Sequence, residues 1–241
     1  MATGEEYIRA ITRLEADRRA RSAFHDLVTS LAPSGAGIFD FGCGPGIDAK
    51  CYAQQGYRVV AYDADERMCA TFAEHCEPQL RSGQVELLRG NYRQFLDVLA
   101  PTIRDRFEIS MVTANFAPLN MIEDLHELFS RLHACTLPRA KVVASVLHPY
   151  FVIDMRHRWW WRNRGRGCFG VASMAGTVYR RSFDDFARQA APYFTLEGIA
   201  RGLPGSRFRS SKRASWTALA TSRYAFLRFS RNDAVAAHLQ P

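Results

Sequence analysis

The sequence predicts an α/β fold: a mostly parallel sheet carrying helices on both faces. Three observations predict it. Short apolar runs alternate with longer amphipathic ones from about residue 36 to residue 150, and parallel strands need crossover segments of that kind. A glycine-rich turn, Gly42-Cys43-Gly44-Pro45-Gly46, follows the first apolar run, where strand-to-helix turns bind ligands in open α/β sheets. The length of 241 residues, 47% of them apolar, fits one domain of this class with a sizeable core.

The elements follow in order. Residues 5–31 read as a helix or helical pair, because Ile8, Ile11, Leu14, Phe24, Leu27, Val28 and Leu31 recur at helical spacing among charged residues. Pro33, Ser34, Gly35 and Gly37 end it. Next come the strand candidate of residues 37–41, a helix over 47–56, the strand 58–63, a helix over 65–77, the strand 85–90 and a short helix near 92–99. The strand 107–112, a helix over 122–135 and the strand 141–147 complete five strand-plus-helix steps. After His148 the rhythm breaks into an aromatic, arginine- and glycine-rich stretch over 150–176. An amphipathic helix from Ser182, a strand over 194–200 and a last strand over 223–230 follow. The last two are joined without a long helix, so they predict an antiparallel finish to the sheet.

Charge is uneven along the chain. Residues 1–149 carry 16 basic and 19 acidic residues (net −3), whereas 150–241 carry 16 and 5 (net +11). The C-terminal part therefore suits anionic partners. The six cysteines form no C-x-x-C pair and no cluster at zinc-ligand spacing, which argues against a structural metal. No apolar window of about 18 residues occurs, and the N-terminus has no basic segment followed by an apolar one. A cytoplasmic protein with reduced thiols is expected.

The sharpest motif is Asp40-Phe41-Gly42-Cys43-Gly44-Pro45-Gly46. Glycines there let the backbone turn tightly and approach a ligand that a Cβ would displace, and the following helix offers free N–H groups. Asp63, 23 residues beyond Asp40, ends the second strand, where a carboxylate can accept both hydroxyls of a ribose. A dinucleotide fingerprint would place its third glycine at position 47, which is Ile47. NAD is therefore disfavoured.

These residues resemble the first motif of the class I S-adenosylmethionine-dependent methyltransferases, specifically from about residue 36 to 150 and more loosely to 230. The resemblance implies a Rossmann-like seven-stranded mixed sheet of order 3-2-1-4-5-7-6, with strand 7 antiparallel, helices on both faces and an N-terminal helical cap. It implies one domain over 1–241: a cap (1–34), a cofactor-binding core (35–150), a lid-like insertion (151–180) and the C-terminal end of the sheet (181–241). S-adenosyl-L-methionine is the implied cofactor, leaving S-adenosyl-L-homocysteine as product. Asp40, Gly42, Cys43, Gly44 and Gly46 would meet its methionine part, Asp63 its ribose, and Ala64, Met68, Asn91 and Tyr92 its adenine side. Asn91 stands where the family often has an acid, and its amide oxygen can take that place. Asn115 and Asn120 lie in the segment that lines the methyl end. That segment lacks the N-P-P-Y motif of adenine-N6 and glutamine methyltransferases, so those substrates are disfavoured. Pro138-Arg139-Ala140 replaces a usual Pro-Gly-Gly and predicts a less tight turn.

Methyl transfer is an in-line displacement, so the protein chiefly positions the acceptor and removes its proton when it is a hydroxyl. His148, after the fifth strand, is the candidate base; the alternative is that it only closes a turn. His126 and His133 read as surface or packing residues, and His25 and His75 carry no specific signal. Tyr7, Asn120, Arg156, Trp159 and Trp160 are the candidate substrate contacts. Three consecutive tryptophans cannot all face one core. The segment 155–167 therefore suits a pocket for a flat or greasy acceptor with arginines for its anionic group, a face for a phosphorylated carrier, a membrane surface or RNA, or is a buried lid with solvated arginines. The expected function is methyl transfer to oxygen or nitrogen of a small-molecule metabolite. The alternatives are an RNA methyltransferase using the basic C-terminal part, or a non-catalytic cofactor-binding interaction protein.

Overall fold

A computed structural model describes residues 6, 8–9, 13–163, 165–173, 176–210 and 221–238. Helix α1 (Glu15–Thr29) precedes β1 (Gly37–Phe41), α2 (Ile47–Gln54), β2 (Arg58–Asp63), α3 (Glu66–His75), α4 (Glu77–Arg81) and β3 (Val85–Arg89). Then come α5 (Tyr92–Gln94), a π-helical turn (Phe95–Leu99), α6 (Ala100–Arg106), β4 (Ile109–Ala114), α7 (Leu125–Ala134) and β5 (Lys141–Leu147). The C-terminal part holds α8 (Arg158–Arg162), β6 (Cys168–Ser173), β7 (Gly176–Arg181), α9 (Phe183–Ala190), β8 (Phe194–Arg201), β9 (Arg209–Ser210) and β10 (Tyr224–Arg231).

The main sheet runs β3-β2-β1-β4-β5-β10-β8-β9. The pairs from β3 through β5 are parallel, and β10 is antiparallel to both β5 and β8. This is the expected order with β10 as the inserted antiparallel strand, extended by the two-residue edge strand β9. Successive strand residues feed opposite cores, as the period of two requires. Ile38, Val59, Met111 and Val143 face a core completed by Phe24 of α1, Tyr52 of α2 and Phe72 of α3. Phe39, Val60, Val112 and Val142 face the other, with Phe95, Ile103, Leu128 and Phe186. Strands buried on both faces explain the unbroken apolar runs.

Three local expectations are corrected. The helix near 92–99 continues to Arg106 through a π turn (Phe95–Leu99) that precedes Pro101, and Phe95, Leu96 and Ile103 are buried in the core. The stretch after His148 contains an antiparallel hairpin of β6 and β7, register Cys168↔Arg181 to Ser173↔Gly176. The turn before β5 stays tight without glycine: Arg139 takes a left-handed φ of 64°, and Ala140 N–H donates to Leu137 O at 3.1 Å.

Candidate functional site

The carboxyl ends of β1, β2, β3 and β4 lie side by side, and the strand order reverses between β1 and β4. That is where open α/β sheets bind ligands. The glycine turn fills this edge. A Cβ at Gly42 would lie 2.6 Å from Pro118 Cβ, and one at Gly46 would lie 2.7 Å from both Cys76 Sγ and the Phe72 ring. Packing therefore demands both glycines. At Gly44 a Cβ would meet nothing within 4 Å, yet φ is 55°, so that glycine serves a left-handed turn that opens onto free space.

Asp63 ties this turn to β2. Its Oδ2 accepts from Gly44 N at 2.7 Å and its Oδ1 from Asp65 N at 2.9 Å. Each oxygen keeps a further lone pair for a ligand hydroxyl. Burial raises the Asp63 pKa, against the pull of those two backbone donors. Ala64 is exposed beside it and Met68 is half-buried in the first turn of α3, whose N-cap, Asp65, accepts from Arg67 N and Met68 N.

Asn91 and Tyr92 follow β3 and open the next helix. Asn91 Oδ1 accepts from Gln94 N at 2.9 Å while Gln94 Oε1 accepts from Asn91 N at 2.9 Å, a reciprocal helix cap. The oxygen expected to meet the adenine amine thus already accepts one bond. Tyr92 packs its ring against Phe95, and its hydroxyl is buried with no partner among the described residues. Burial first, then the charges of Glu127 and Asp124, raise its pKa. Cys43 is buried as well, and desolvation followed by the nearby Asp40 and Asp63 charges raises its thiol pKa. That makes it an unreactive packing residue.

Asp40 is 1% exposed. One of its oxygens accepts from Thr113 Oγ1 at 2.8 Å; Oδ2 is buried with no partner among the described residues. Burial, and then the negative charge of Asp48, raise its pKa. An orphaned acceptor under the glycine turn suits a cationic or N–H group of a bound ligand.

A charged cluster that sequence reasoning missed closes the site from the N-terminal side. Asp48 in α2 pairs with Arg21 of α1, contacts His25 Nε2 at 2.6 Å and accepts from Asn115 Nδ2 at 3.1 Å. Burial alone would lower the His25 pKa, but the hydrogen bonds to Asp48 and Cys51 and the Asp48 charge raise it to about 10. Burial likewise opposes ionisation of Asp48, and Arg21 and His25 overcome it, holding the carboxyl well below the usual range. The Arg21 guanidinium lies 4.4 Å from the centre of the Phe116 ring, where the cation meets the π face. Phe116 and Ala117 adopt φ of 61° and 67°, a conformation uncommon for residues with a Cβ and concentrated at functional loops. Arg21, the glycine turn, Asn115 and Phe116 together line a small pocket. Asn115 is thereby at the site, but 6% exposed, with its oxygen accepting from Phe116 N at 2.9 Å.

Two further candidates have backbone partners. Asn120 is fully buried; its Nδ2 donates to Tyr179 O at 2.7 Å and its Oδ1 accepts from Leu147 N at 3.0 Å. Its amide fastens the β4 loop to β5 and β7 and has no face left for a substrate. His148 Nδ1 accepts from Tyr150 N at 3.1 Å, so the neutral ring carries its proton on Nε2 and holds a turn. Burial, then the charges of Arg180 and Arg201, lower its pKa to about 4, a weak base near neutral pH.

The remaining substrate candidates lie in and around α8. Trp160 Nε1 donates to Pro149 O at 3.3 Å. Trp159 stacks on His157 at 5.8 Å between ring centres and sits 5.3 Å from the Arg180 guanidinium. Arg156 is exposed. Tyr7 lies outside the described residues.

Comparisons with known proteins agree with this architecture. No curated protein matches the sequence. Among solved structures, 1,6-didemethyltoxoflavin-N1-methyltransferase from Burkholderia thailandensis, with 1,6-didemethyltoxoflavin and S-adenosylhomocysteine bound, is similar over 95% of this chain and 86% of its own, at TM-score 0.62 and 15% identity. A TehB-like SAM-dependent methyltransferase from Corynebacterium glutamicum covers 95% of this chain and 98% of its own, at TM-score 0.59 and 16% identity. A putative S-adenosylmethionine-dependent methyltransferase from Listeria monocytogenes covers 88% and 98%, at TM-score 0.61 and 15% identity. The family model described as a methyltransferase domain matches residues 12–176, which include the glycine turn, Asp63 and the Arg21–Asp48 cluster. The chain belongs to the methyltransferase-domain family.

Proposed function

We propose that this protein transfers a methyl group from S-adenosyl-L-methionine to oxygen or nitrogen of a small-molecule metabolite. The observation that carries the reading is the left-handed Gly44. It opens onto free space next to the Asp63 carboxylate that accepts from its N–H, and it lines the pocket that Arg21, Asn115 and Phe116 share. These residues fit the cofactor: Asp40 offers a buried acceptor to an ammonium group, Asp63 keeps lone pairs for ribose hydroxyls, and the turn leaves open space at Gly44. Gly42, Cys43 and Gly46 shape that turn, Asn115 borders it, and Ala64, Met68, Asn91 and Tyr92 flank the adenine side.

When bound, the cofactor supplies a methyl group activated on a sulfonium. The chain's residues hold the acceptor in line with it and exclude water. Trp159, Trp160 and Arg156 form the acceptor side of a lid over 151–180 in a single domain. With His148 engaged in its turn, the acceptor is an amine or an acidic hydroxyl that needs no protein base. The test supplies S-adenosylmethionine labelled in its methyl group to the purified protein with a small-molecule extract or with total RNA. Label in small molecules is expected. Label confined to RNA would move the activity to the RNA reading, and label in neither would favour a non-catalytic binding protein.

A further inference from the structure

We propose that α8 and the turn before it form an interfacial anchor that seats the protein on anionic lipid bilayers. The three tryptophans divide between packing and exposure. Trp159 and Trp160 are half-buried, packed on Phe169 and tied to Pro149. Trp161 is 53% exposed, although its indole N–H donates to Met155 O at 2.7 Å. An exposed indole ordinarily offers that N–H to water; here the polar handle is used internally and the outward surface is hydrocarbon.

The same hydrogen bond pins Trp161 to the 3-10 turn Asp154–Arg156, which Ile153 precedes, itself 49% exposed. Arg158, Trp161 and Arg162 stand at i, i+3 and i+4 of α8 and so share one face, and all three are exposed. Arg156 and Arg166 are exposed on either side. Among the described residues none of these four arginines forms an ion pair, because the nearby carboxylate, Asp154, is taken by Arg180. Apolar groups ringed by uncompensated arginines match the boundary between anionic headgroups and acyl chains. Stacking on nucleic acid bases would use the indole but gives no role to the aliphatic Ile153.

The test is co-flotation with vesicles of phosphatidylcholine alone or mixed with phosphatidylglycerol, at about 50 mM and 300 mM salt. The wild-type chain is expected to float with the mixed vesicles and not with phosphatidylcholine. R158E/R162E is expected to bind more than tenfold more weakly, since each arginine contributes roughly fivefold near an anionic surface. I153S keeps the charges and is expected to lose several-fold, as burial of an aliphatic side chain is lost. Brominated acyl chains should quench the wild-type tryptophan emission, and W161F should lose more of that quenching than W159F. Wild-type protein that stays unbound on anionic vesicles, R158E/R162E that floats as wild type, or binding to a single-stranded RNA oligonucleotide in place of vesicles would each overturn the proposal.

Discussion

Asp48→Asn tests the cluster that closes the site. The substitution keeps the shape and can keep one hydrogen bond, but it leaves Arg21 and His25 without their anion. Their side chains are each 14% exposed and that of Asp48 is 7% exposed. Removing one partner of a buried pair costs about 3–5 kcal/mol. The His25 contribution alone is bounded near 5 kcal/mol, because its pKa rises from 6.5 to about 10 at about 1.4 kcal/mol per pH unit. The sign follows from linkage: a pKa raised on folding gives stability that is complete below pH 6.5 and is lost as the pH climbs through about 10. The gap between wild type and Asp48→Asn should therefore be widest near pH 6 and narrow towards pH 10, leaving the Arg21 share. Urea unfolding followed by circular dichroism at pH 6, 8 and 9.5, without ligand, measures it; at pH 6 the variant should also melt roughly 10 °C lower. A gap below about 0.5 kcal/mol at pH 6, or one that widens with pH, would refute the reasoning.

Other substitutions separate binding from folding. Asp63→Ala should weaken S-adenosylhomocysteine binding by about tenfold or more, since hydrogen bonds to a charged group contribute about 1.5–3 kcal/mol; unchanged affinity in calorimetry would remove Asp63 from the site. Gly46→Ala should destabilise the fold more than Gly44→Ala, because both put alanine at a left-handed φ but only the Cβ at 46 would strike Cys76 and Phe72; equal effects of the two on melting would contradict the packing argument. Arg139→Gly should gain about 1 kcal/mol in urea unfolding by relieving a left-handed φ, and a loss would show that its side chain matters more than its backbone. His148→Ala should leave the pH profile of turnover unchanged, whereas loss of a basic limb would restore it as the base.

Much of the fold was legible because its signal is local. Strands β1 to β5 are buried on both faces and read as apolar runs, and the glycine turn stands out since packing and a left-handed φ both restrict it. The β6–β7 hairpin was not legible: its residues are mostly half-buried or exposed on both faces, so no alternation marks it. His25 and Asp48 lie 23 residues apart and meet only because α1 packs through Phe24 onto Phe226, which no local pattern encodes. The surroundings of Asn120 and His148 are hidden in sequence for a related reason. Polar residues beside a ligand edge look functional in sequence, and only the geometry shows that backbone partners take both amide atoms of Asn120 and the Nδ1 of His148.

The central claim, a cofactor seat between Asp40, Gly44 and Asp63, is tested most directly by calorimetric titration of the purified protein with S-adenosylhomocysteine, beside NAD. One site with micromolar affinity for S-adenosylhomocysteine and no heat for NAD are expected. Absence of S-adenosylhomocysteine binding by a folded protein, or preference for NAD, would contradict it.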